Sequence, residues 1–221
     1  MKKIATLSES LAETIKNSDL KNIGIDISEA LLDSELADGI LKEIPILNSI
    51  YGLHKAATSI QDNLFTKKLQ AFLKNAGEIE PRARKEIVDK IDNDPKYKTK
   101  VGEKLLFIIE RCEDTEKANW AGKLFKGLLE GKLDYLDFLR ASKCIELVFG
   151  EDLKVFINGD RKSGDFEDVG DMVASGLFTA VFEPGENQLG RSGGSMKCYI
   201  TGIGEKIREI LKVPPRPPEI S

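Results

Sequence analysis

One histidine, His54, and three cysteines, Cys112, Cys144 and Cys198, are the only imidazole and thiol side chains in the sequence. A multi-histidine metal site is therefore ruled out, and any Ser-His-Asp or Cys-His arrangement has to run through His54. At helical spacing around it stand Ile50, Tyr51, Lys55 and Thr58, with no thiol and no acidic orienting group among them. The cysteines lack metal-type spacing, and Cys112 and Cys144 sit in apolar helical surroundings where a thiol behaves as a small hydrophobe. An odd, scattered set of thiols fits a reducing compartment.

Two further stretches could bear on phosphate or cation chemistry. Gly185-Glu186-Asn187-Gln188-Leu189-Gly190-Arg191-Ser192 is a near miss to the phosphate-binding GxxxxGK[ST] loop, with arginine in the lysine place. That loop needs a helix N-terminus after it, so that backbone amides face the phosphates; here a second strand follows, which makes it a hairpin connection. Gly202-Ile203-Gly204 lacks the third glycine of a dinucleotide fingerprint. Residues 130–138 resemble the exit of a calcium loop, yet Lys126 and Leu128 would stand where carboxylates or amides must ligate. No catalytic residue, metal or cofactor is assigned, and the chain is read as non-enzymatic. Trp120, four residues before Leu124, is read as core.

The elements that must carry these residues follow from periodicity. Charged residues make up 32% and hydrophobic ones 41%, a globular composition, and the net charge of −4 argues against dominant binding to a phosphate backbone. Over residues 45–76, Ile46, Ile50, Leu53, Ala57, Ile60 and Leu64 form one helical stripe, and Phe65, Leu69, Phe72 and Ala76 a second one offset by a residue. This predicts a long central helix, or two helices meeting near Gln61-Asp62-Asn63, around which a helical bundle packs. A first helix presents Ile4, Leu7, Leu11 and Ile15; its segment has no unbroken apolar run and does not read as a signal peptide. A second is predicted from Asp26 or Ser28 through Leu36. Pro81 and Pro95 each predict a helix start, Asp114 or Thr115 and then Asp134 predict caps, and Gly131 predicts a stop. The helix after Asp134 is expected to carry Leu136, Phe138, Leu139, Ile145, Val148 and Phe149 as its apolar residues. Beyond residue 160 a short helix over 166–174, strands over 177–182 and 196–200, and a closing helix over 202–212 are predicted, followed by a stiff proline-rich tail.

Ser175-Gly176-Leu177 before the first strand, and Tyr199-Ile200-Thr201-Gly202-Ile203-Gly204 leading into the last helix, resemble the second half of a winged-helix domain. In that family a Gly-Leu turn ends a helix, a β-hairpin forms the wing, and a Tyr-x-Leu-Thr-x-x-Gly run opens a closing helix. The resemblance spans residues 165–212, with room for one helix before the wing rather than two. More broadly, Ile44-Pro45, the Lys-Val-Gly-Glu-Lys-Leu-Leu run of 100–106 and the Gly-Lys-Leu-Asp-Tyr turn of 131–139 resemble a group of uncharacterised, mostly helical bacterial proteins, which implies no activity.

The fold class expected is mainly α: a helical domain over 1–158, a small winged-helix-like α/β-hairpin appendage over 159–213, and a proline-rich tail over 214–221. The function expected is that of a bacterial cytoplasmic protein acting through contacts with a protein partner or a second copy, in stress response or phage defence. Its candidate contact residues are Asn187, Gln188, Leu189, Arg191 and Lys197. Two alternatives are carried. A membrane-perturbing effector would insert residues 39–60 through Ile46, Leu47, Ile50 and Leu53, against the cost of Lys42, Glu43, His54 and Lys55. A winged-helix regulator would bind DNA, but residues 151–221 hold 12 acidic and 9 basic side chains, and the helix before the wing offers Asp165, Glu167, Asp168 and Asp171 where a DNA reader needs donors to base edges.

Overall fold

A computed structural model describes residues 2–21, 23, 44–52, 60–186 and 192–212. The chain is mainly helical, with a small three-stranded antiparallel sheet towards its C-terminus, and it divides into two compact units, 1–138 and 139–221. The predicted second helix, His54 and the proline-rich tail lie outside the described residues.

In the first unit, α1 (Lys2–Asn17) is the hub for α2 (Pro45–Gly52), α4 (Pro81–Asp92) and α5 (Val101–Arg111). Its Leu11 and Ile15 are fully buried, as are Ile46 and Leu47 of α2. The most extensive helix pairing joins α3 (Ile60–Ala76) to α6 (Thr115–Leu129), where Phe72 stacks on Phe125 at 5.4 Å and Phe125 meets Phe138 at 5.7 Å. Residues 45–52 and 60–76 are thus both helical, and 53–59 lie outside the described residues. The second predicted stripe is buried at Leu69, Phe72 and Ala76, but Leu64, expected inward, is 54% exposed. The offset between the two stripes turns Leu64 out once Leu69 and Phe72 face α6.

Several boundaries follow the expected chemistry. Pro81 opens α4, and Asp114 caps α6 by accepting from the Lys117 amide at 2.8 Å. α6 ends at a Gly131 with φ 75°, and Asp134 accepts from the Asp137 amide at the start of α7 (Tyr135–Leu147). Asp94-Pro95 does not open a helix. Asp94 accepts from the Lys96 amide in a tight turn, and α5 starts only at Val101, whose amide is held by Asp92 at 2.7 Å.

The second unit begins inside α7 and continues through α8 (Gly150–Asn158) to β1 (Ser163–Asp165), α9 (Phe166–Val169) and a 3-10 turn over 170–172. β2 (Phe178–Glu186), β3 (Ser192–Ile200) and α10 (Gly202–Leu211) complete it. β3 lies between β1 and β2, antiparallel to both. The chain breaks helix between Leu147 and Gly150, which leaves Phe149, expected within the helix, outside it and exposed. β1 has no alternating pattern to announce it; it exists because Ser163, Gly164 and Asp165 pair with Tyr199, Cys198 and Lys197.

Candidate functional site

The base of the β2–β3 hairpin is built by the two short motifs that flank it. Gly176 turns the chain with φ 85°, a conformation open to glycine. The Leu177 carbonyl then accepts from the Thr201 amide at 3.0 Å, while the Thr201 hydroxyl donates to the Gly176 carbonyl at 2.7 Å. The same hydroxyl accepts from the Gly204 amide at 3.0 Å and so caps α10. A Cβ at Gly204 would stand 2.5 Å from the Leu177 carbonyl, so only glycine lets α10 come this close. Leu177, Phe178, Cys198, Ile207 and Leu211 fill the core beneath. Phe178 meets Phe156 edge-on at 5.8 Å, and the Arg208 guanidinium lies 4.3 Å above the Phe156 ring, its Nε donating to the Phe156 carbonyl.

From this base the hairpin runs on beyond the core. Register places Phe178 opposite Ile200, Ala180 opposite Cys198 and Phe182 opposite Met196, so these pairs share one face. The face is buried at Phe178 and Cys198, then emerges, with Phe182 59% and Met196 41% exposed. The opposite face carries Val181, Lys197, Glu183 and Tyr199. There the Tyr199 hydroxyl donates to Glu183, which holds the phenol above its ordinary range, and Lys197 donates to Asp165 of β1, which raises its ammonium likewise. β2 is the outer strand on its side of the sheet. Pro184, which has no amide to donate, is tolerated there, and among the described residues no strand pairs with the outer edge of β2.

Three basic side chains around the base are paired with acids: Arg161 with Asp168 at 3.2 Å, Lys162 with Glu205 at 3.6 Å and Lys197 with Asp165. α9 carries Glu167 and Asp168 in its single turn, both exposed. Phosphates approaching this side would meet carboxylates first.

Of the contact residues expected from sequence, Lys197 lies on this hairpin, while Asn187, Gln188, Leu189 and Arg191 lie outside the described residues. The apolar pair Phe182 and Met196 was missed. Its signal is two large apolar side chains bordering a glycine-rich turn, too far from the base to reach the core. Of the membrane set, Ile46, Leu47 and Ile50 are buried within the first unit and Leu53 lies outside the described residues. Among the described residues no helix is long and apolar enough to cross a membrane. Cys112, Cys144 and Cys198 are buried and form no disulfide, and burial pushes Cys144 up to about 11, the opposite of an activated nucleophile. No family model, curated protein or solved structure matches this chain.

Proposed function

We propose that the chain is a non-enzymatic bacterial cytoplasmic protein that works through protein contacts made by the β2–β3 hairpin, in stress response or phage defence. The observation that carries this reading is the exposed Phe182–Met196 pair beside the outer β2 edge. Apolar side chains beside an outer strand edge are what a protein partner, or a second copy, buries by strand addition. The finer fold reading that goes with it is a winged-helix-like segment over 159–213 and one long helix through 45–76. The turn at Gly176-Leu177 bonded to Thr201 supports the first, and the helical ends on either side of 53–59 support the second. DNA binding ranks behind protein contacts because Arg161, Lys162 and Lys197 are engaged by carboxylates and α9 presents Glu167 and Asp168. Membrane insertion ranks behind it because Ile46, Leu47 and Ile50 would have to leave a core.

The test is a photo-crosslinking amino acid placed at Val181 in living bacteria, with Glu209 on α10 as the control position. A discrete protein adduct from position 181 that is absent from 209 and lost in a Phe182→Glu background is expected. No adduct from 181 would overturn the reading. So would duplex-DNA binding that falls steeply between about 50 and 200 mM salt and disappears in Arg191→Ala/Lys197→Ala.

A further inference from the structure

A second surface, in the first unit and independent of the hairpin, carries an inference of its own. Along α1 and the start of α5 runs a groove of about 820 Å³. It is lined by Ala12 and the 38% exposed Phe107, together with Glu9, Glu13 and Glu103. From Ser8 to Asn17 it follows α1 for ten residues, roughly 13 Å at the helical rise.

The charges along it are unevenly committed. Lys16 is bound to Asp89 at 2.6 Å and to Asp92 at 3.7 Å, and Lys100 donates to the Asp92 carbonyl at 2.6 Å. Glu9, Glu13 and Glu103 have no ion pair among the described residues. The cations of the groove are spent on α4, and the glutamates remain available beside an exposed aromatic ring.

We propose that this groove docks a cationic amphipathic helix of a partner protein, with apolar side chains over Ala12 and Phe107 and lysine or arginine against Glu9, Glu13 and Glu103. Charge decides the occupant. The chain's own residues 24–43 carry six acidic side chains and one basic, and a second copy brings a net charge of −4. Both are the wrong sign for this groove. The polar groups are exposed along an elongated edge instead of converging on a point, which suits a helix better than a small molecule.

The probe is a fluorescein-labelled 18-residue helix of leucine and lysine with leucine on one face, titrated by anisotropy at about 50 mM salt, a regime in which surface charge is weakly screened. Two further peptides replace lysine by glutamate, or leucine by serine. Expected are binding of the leucine/lysine helix alone and a loss of about tenfold or more in Glu9→Lys/Glu13→Lys. Phe107→Ser should also weaken binding, whereas Glu205→Lys/Glu209→Lys, the same charge change on α10, should alter it less than about twofold. Equal loss in the α10 control, equal binding of the serine/lysine peptide, or no binding of the leucine/lysine helix would each overturn the proposal. Circular dichroism of each variant excludes unfolding as the cause.

Discussion

Cys144 ties a single thiol to the stability of the second unit. Burial holds it protonated up to about pH 11, against an ordinary value of 9.0, and its sulfur stands 3.3 Å from where a Cβ at Gly176 would sit. The unfolded chain gives up this proton first, so between pH 9 and 11 the folded state holds a proton the unfolded state has lost. Stability from this group is complete below pH 9 and falls as pH rises towards 11. Cys144→Ala removes that term. The stability difference between wild type and the variant, measured by urea unfolding at pH 8 and pH 11, should therefore shift against wild type by on the order of 2 kcal/mol. An unchanged difference would mean that the thiol is solvated. Cys112, Cys144 and Trp120 are legible as core residues because their apolar neighbours recur at helical spacing. Arg84 is not. Its side chain is buried, Nη2 donates to the Ser18 carbonyl, Nε and Nη1 have no hydrogen-bond partner among the described residues, and burial pushes the guanidinium below its ordinary range. The acceptor comes from a chain turn 66 residues earlier, which no local pattern announces.

At the scale of elements, Thr201 does the work of two residues, closing the hairpin base on Gly176 and capping α10. Thr201→Val keeps the shape and removes both hydroxyl bonds. It should cost the second unit about 1–2 kcal/mol in denaturant unfolding, while Thr201→Ser keeps most of the stability. If valine costs nothing, the hydroxyl is replaceable by water. The Thr-x-x-Gly and Gly-Leu signals are legible because each is a local turn or cap, and the structure adds that they bond to one another. Helix starts were legible at Pro81 and Asp114 for the same reason. Asp94-Pro95 misled because proline also suits a tight turn, and the competing acceptor for the start of α5 is Asp92, nine residues before Val101. β1 was illegible because its three residues are strand only through β3.

Across the whole molecule the two units carry separate reporters. Trp120, the only tryptophan, is buried in the first, whereas Cys198 is buried in the second. In a urea titration, Thr201→Val should move the midpoint of Cys198 labelling, read by mass spectrometry, further than that of Trp120 fluorescence. Equal shifts would mean that α7, which crosses the division, makes the two units unfold as one. The hub position of α1 has a consequence of another kind, in the time taken to make the chain. Its Leu11 and Ile15 leave the ribosome roughly a hundred residues ahead of Arg111, the end of α5, one of the helices that covers them. At translation rates of about 5–20 residues per second that wait lasts roughly 5–20 s. Throughout it the seam of α1 is the natural place for a nascent-chain chaperone to hold.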